Sequence, residues 1–110
     1  MESILDSIKK LLGPSGINHF DTDIIMHINT AFMVLSQLGV GPSEGFSIKD
    51  NTAKWSDFLS DETKLEAVKT YIYLKVRLVF DPPSSSSVIE SINRQIAEYE
   101  WRLNVAVDPK

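Results

Sequence analysis

The sequence predicts an all-α fold: a compact bundle of about four helices, with a loop-rich insertion between the second and the third. Three observations carry that prediction. Apolar residues recur at helical spacing in four separate stretches of the 110-residue chain. The first three stretches stop at residues that end helices, namely Gly13-Pro14, Gly39 and Pro82-Pro83. Alternation of the kind a strand needs is confined to Phe46-Ser47-Ile48, enough for a short strand or hairpin.

The first helix is expected from Ser3 or Ile4 to Leu12, with Ile4, Leu5, Ile8, Leu11 and Leu12 as its apolar stripe. The second begins after Asp21, read as its N-cap, and runs to Leu38. Its core stripe is Ile24, Ile25, Ile28, Ala31, Phe32, Leu35 and Leu38. Met26 and Met33 fall on the opposite side, one above the other at i, i+7, and form a second, smaller apolar stripe. From Val40 to Ser60 helical periodicity fails among Gly39, Gly41, Pro42 and Gly45, although Trp55, Phe58 and Leu59 make one helical turn that folds back on the core.

The third predicted helix starts near Ser60 or Asp61 and must end before Pro82, because proline disfavours helix in the residue preceding it. It is apolar on more than one side. Leu65, Val68, Ile72, Val76 and Val79 form the expected core face, while Tyr71, Leu74 and Leu78 form a second face, to be covered by helix one, by the loop segment around Trp55 or by another chain. Ser87 with Glu90 reads as a capping box opening the fourth helix. Val88, Ile89, Ile92, Ile96, Tyr99 and Leu103 are its core side, and Glu90, Arg94 and Glu98 its polar side. Trp101 is the exception on that polar side, with Arg102 directly after it. The tail from Val105 to Lys110 is expected to fray or to dock on a partner.

A composition of 43% apolar and 24% charged residues is that of an ordinary soluble globular protein, and the length fits one domain spanning residues 1–110. The absence of cysteine removes disulfides, thiolate metal sites and thiol nucleophiles. Glu2 and Asp6 stand where a signal peptide would carry positive charge, and no apolar stretch approaches the roughly 18 to 20 residues of a membrane span. The expectation is a soluble, intracellular protein with no membrane contact. A net charge of −4, with lysines and arginines scattered, disfavours binding to nucleic acid.

The most enzyme-like grouping is His19, Asp21, Asp23 and His27. Asp23 and His27 have the i, i+4 spacing that can present a metal, but Asp21 is better used as a cap and His19 precedes the helix. No G-x-S-x-G elbow accompanies the serines, and Gly39-Val40-Gly41-Pro42 is too short for a phosphate loop. The expectation is a protein with no catalysis, no metal and no cofactor. Surplus apolar surface remains. Trp101 is either a packing residue or an interface anchor, of the kind tryptophan and arginine commonly supply; Met26 and Met33 are either secondary core or interface.

The order of motifs resembles that of the head-tail connector (adaptor) proteins of tailed bacteriophages and prophages. The resemblance runs through Asn29-Thr30-Ala31, Leu38 to Pro42, Gly45-Phe46, Trp55 to Leu59, Tyr71 to Pro83 and Glu98 to Asn104, which is nearly the whole chain. It implies a structural virion protein, assembled in the host cytoplasm, that forms a homo-oligomeric ring below the portal protein. Such a ring extends the DNA channel, with DNA only as cargo, and offers a platform to a head-completion (stopper) or tail protein. Mild acidity suits such a channel, since phosphate-gripping groups would hinder DNA passage. Trp101 and Arg102, near the C-terminal helix's end, become candidate portal anchors. With Leu103, Tyr71, Leu74, Leu78, Met26, Met33 and Phe46 they complete the set of candidate interface residues. The alternatives are a small helical nucleic-acid-binding regulator, which would need a basic recognition helix, and a metal-dependent hydrolase built on His19, Asp23 and His27.

Overall fold

Ser3 begins the described part of the chain by capping a helix: its hydroxyl accepts a hydrogen bond from the Asp6 N–H at 3.2 Å, so that α1 runs Ile4–Leu12. In this computed structural model the described residues are 3–13 and 20–107. Gly13 ends α1 with φ +68°, a left-handed conformation that glycine adopts without the Cβ clash. Then follow α2 (Asp21–Gln37), α3 (Trp55–Phe58), α4 (Glu62–Phe80) and α5 (Ser86–Val107). The all-α prediction holds, with α3 supplying the short turn expected around Trp55.

The central element is α4. Asp61 caps it by accepting from the Thr63 and Lys64 N–H groups, and it ends one residue before Asp81-Pro82. It packs against α1, α2 and α5. That three-sided cover decides the second face of this helix: Tyr71 and Leu74 lie in the core beside Leu65, Val68, Ile72 and Val76. Val79, expected in the core, is 61% exposed, because its last-turn position runs past the neighbours that cover Ile72 and Val76. Phe80, next to it, is closed off by an edge-on contact with Phe20 at 5.6 Å.

Two predicted caps are also corrected. Asp21 lies inside α2, whose N-cap is Phe20, and its carboxylate instead holds the Lys9 ammonium of α1 at 2.9 Å. The hydroxyl placed to cap α5 is that of Ser85, which accepts from the Val88 N–H at 3.4 Å; Ser87 is already helical. Along α5, Ile92, Ile96 and Leu103 are buried as expected, whereas Val88 is exposed. The helix continues to Val107, and the end of the expected tail, Asp108 to Lys110, lies outside the described residues.

Residues 38 to 61 are irregular yet firmly stitched to the helices. Asn29 of α2 holds both backbone groups of buried Ile48: its Nδ2 donates to the Ile48 carbonyl at 2.9 Å, and its Oδ1 accepts from the Ile48 N–H at 2.8 Å. Those bonds replace a strand neighbour, so Phe46-Ser47-Ile48 is extended without forming the short strand or hairpin allowed by its alternation. Among the described residues the one β-type pairing is an isolated bridge between Ser3 and Lys54. Beside it the Ile4 N–H donates to the Ala53 carbonyl at 3.0 Å. Trp55 is fully buried and donates its indole N–H to Ser7 Oγ at 3.1 Å, so this large side chain enters the core without stranding its polar atom.

Candidate protein interface

The described surface carries apolar groups in two places that helical geometry makes contiguous. On α2, Met26 and Met33 are each 56% exposed, on the side opposite the buried stripe of Ile24, Ile28, Ala31, Phe32 and Leu35. Together with Thr22, Ile25, Asn29 and Thr30 they line an open depression. No charged side chain contributes to it. On α5, Trp101 is 66% exposed, and Val105, one turn on, is exposed beside it. The tryptophan is therefore not a packing residue of the folded chain.

Arg102 is held next to Trp101 by Glu98, one turn back, through Nε at 2.8 Å and Nη2 at 2.7 Å. Both side chains are largely exposed, so the pair adds little to folding stability, at most about 0.5 kcal/mol. What it fixes is the orientation of the guanidinium, held over the preceding turn of the helix. Arg102, Trp101 and Val105 give the C-terminal half of α5 a mixed apolar and cationic surface of the composition enriched at the centres of protein contacts.

The other candidate residues divide by burial. Tyr71 is fully buried, with its hydroxyl donating to Glu100 Oε2 at 2.7 Å and the Lys75 ammonium 6.0 Å from its ring centroid. Burial, and then the Glu100 carboxylate, push its phenol well above the usual tyrosine range. Leu74 and Leu103 are core residues, and Leu78 is partly covered. Phe46 is half-buried in an aromatic cluster, edge-on to Phe32 at 5.0 Å and to Phe58 at 5.3 Å. In the folded chain these five are occupied wholly or in part with internal packing, which leaves Trp101, Arg102, Met26 and Met33 as the freely presented members of the set.

Sequence reasoning missed three exposed apolar groups, Val79, Val88 and Leu11, each at a helix end. Periodicity assigned them to core faces; their position in a first or last turn is the signal that could have flagged them, because the ends of an amphipathic helix outrun the core. Of the His–Asp grouping, Asp21 is committed to Lys9, Asp23 is exposed, His27 is partly buried, and His19 lies outside the described residues. Among the described residues no three His, Cys, Asp or Glu side chains come together to hold a metal. Among the described residues no helix is long and apolar enough to cross a membrane.

No curated protein and no solved structure matches the chain. A family model does, over residues 4–110, and it describes a phage connector protein. That span takes in every described helix, both exposed apolar patches and the stitched segment between α2 and α4. With an all-α fold that keeps Trp101, Met26 and Met33 on its outside, the chain belongs to the phage connector protein family.

Proposed function

We propose that this connector protein assembles as a homo-oligomeric ring below the portal, extends the DNA channel, and offers a platform to the stopper or tail protein that follows. Membership of the connector family makes it a structural part of the virion that works by contact with other virion proteins. The observation that carries the finer reading is Trp101, two-thirds exposed on the side of α5 turned away from the core, with the oriented Arg102 next in sequence. Leaving an indole in water forgoes several kcal/mol of burial, on the order of 2 to 4 for the exposed part of a tryptophan. A protein contact recovers that energy. The C-terminal end of α5 is assigned to the portal-proximal side of the ring, and DNA passes the ring as cargo, in keeping with the net charge of −4.

The test is sedimentation and native mass measurement of the full chain, alone and with the isolated portal complex. The expected result is a closed oligomer that co-sediments with portal. A chain that stays monomeric at high concentration and ignores portal overturns the reading.

A further inference from the structure

The two exposed patches are unlike each other, and this decides how copies can meet. An α2–α2 contact would pair methionines with methionines and leave Trp101 in water; a head-to-tail contact covers both patches at once. Head-to-tail contacts repeat around an axis and close into rings when the rotation between copies completes a full turn. Direction also fits. Within one chain α2 and α5 run the same way: the Asn104 side chain donates to the Leu38 carbonyl at 3.1 Å at their C-terminal ends, while His27 and Thr30 share a depression with Asn93 and Ile96 nearer their beginnings. Successive subunits of a many-membered ring differ by a small rotation, so α5 of one copy arrives nearly parallel to α2 of the next.

We propose that Trp101 of one subunit seats between Met26 and Met33 of its neighbour, with the two helices parallel and in one register. Met26 and Met33 are seven residues apart, a separation of about 10 Å that leaves room for one indole between them. With Trp101 midway, Val105, four residues on, falls at Met33. Arg94, seven residues back on the same side of α5, falls at Asp23. Arg94 and Asp23 are both exposed, and among the described residues neither has an ion-pair partner within the chain. Antiparallel packing would set Arg94 against Gln37 and lose that complementarity. The contact thus matches an apolar knob to an uncharged apolar hollow and, two turns away, a cation to an anion. The charge pair fixes direction and register more than affinity.

This interface rests on the ring reading, and its test separates the two. The chain has no cysteine, so introduced pairs report without background. Met33→Cys and Val105→Cys in one chain are expected to give a disulfide ladder of dimers, trimers and larger species under mild oxidation; each single variant gives none, and a mixture of the two singles gives dimers. Arg94→Asp and Asp23→Arg should each weaken self-association about tenfold, and the two together should restore it to within about threefold. Circular dichroism and melting, unchanged for these exposed sites, verify folding. If the chain oligomerises, alone or on portal, without the ladder and without charge-swap rescue, the interface is wrong and the ring stands. If no oligomer forms in either condition, both fall. Disulfide-linked dimers from Met33→Cys alone mean that α2 pairs with itself, which also overturns the proposal.

Discussion

Asn29→Leu offers a sharp test of how the irregular middle of the chain is held. Leucine has asparagine's branching and number of heavy atoms but can neither accept from the Ile48 N–H, now bonded at 2.8 Å, nor donate to its carbonyl, now bonded at 2.9 Å. Ile48 is buried, so each abandoned backbone group costs roughly 1 to 3 kcal/mol. Asn29 itself is only partly covered, which lets water relieve some of that loss and places the total near 2 to 4 kcal/mol. A chain of this size is stable by about 5 to 15 kcal/mol, so the substitution removes a large share and should lower the melting temperature by roughly 8 to 15 °C. Asn29→Asp, which keeps the acceptor and loses the donor, should fall between. Urea denaturation followed by the fluorescence of buried Trp55, with amide exchange at Ile48, measures both the global and the local effect. If Asn29→Leu costs less than about 0.5 kcal/mol and Ile48 exchange does not accelerate, the segment is held by its side chains alone and the reasoning fails.

Tyr71 should make stability fall at alkaline pH. Its folded-state pKa is raised above the unfolded value of about 10, so its stabilising contribution is complete below that pH and is lost as pH climbs beyond it, where only the unfolded chain gives up the proton. Tyr71→Phe should flatten the decline seen in denaturation curves between about pH 9 and 11, and an unchanged slope refutes the assignment. Gly41→Ala should cost more than Gly45→Ala: both positions have φ near +90°, but a Cβ at Gly41 would collide with the Phe58 ring, whereas at Gly45 it meets Ser36 Oγ at an ordinary 3.9 Å. About 1 to 2 kcal/mol of backbone strain is common to both, and a measured difference near zero would mean that the ring moves aside freely. Trp101→Ala should leave the melting temperature within the change expected of about 0.5 kcal/mol and reduce assembly at least tenfold by sedimentation; a large loss of stability would return Trp101 to the core.

What could be read from the chain divides along a physical line. Helix ends set by local chemistry were legible: the starts of α1 at Ser3 or Ile4 and of α4 near Asp61, Gly13 and Gly39 as stops, and the double proline after α4. So was the side of its helix on which each of Met26, Met33 and Trp101 lies, opposite the core stripe, whereas the choice between packing and exposure was open until the fold decided it. Most illegible features depend on a partner distant in sequence. Asp21 serves Lys9 rather than its own helix end, and the side chain of Asn29 satisfies a backbone 19 residues away. The second face of α4 became core because three helices surround it, and the number of a helix's neighbours is a property of the assembled fold. Four consecutive serines present nearly equal caps, which is why Ser85 could not be told from Ser87.

The bond from Asn104 to the Leu38 carbonyl joins residues 66 apart, and it lies at the surface. Viewed as a mechanical fastener, it makes the end of α5 come away in stages. A pull on the terminal turn first meets this one exposed hydrogen bond, worth about 1 kcal/mol net, and only afterwards the buried Leu103 just behind it. Strain applied at the tail is thus released at the last turn before it reaches Ile96 and Ile92. A subunit built this way can let its end shift under load while the rest of its body stays closed.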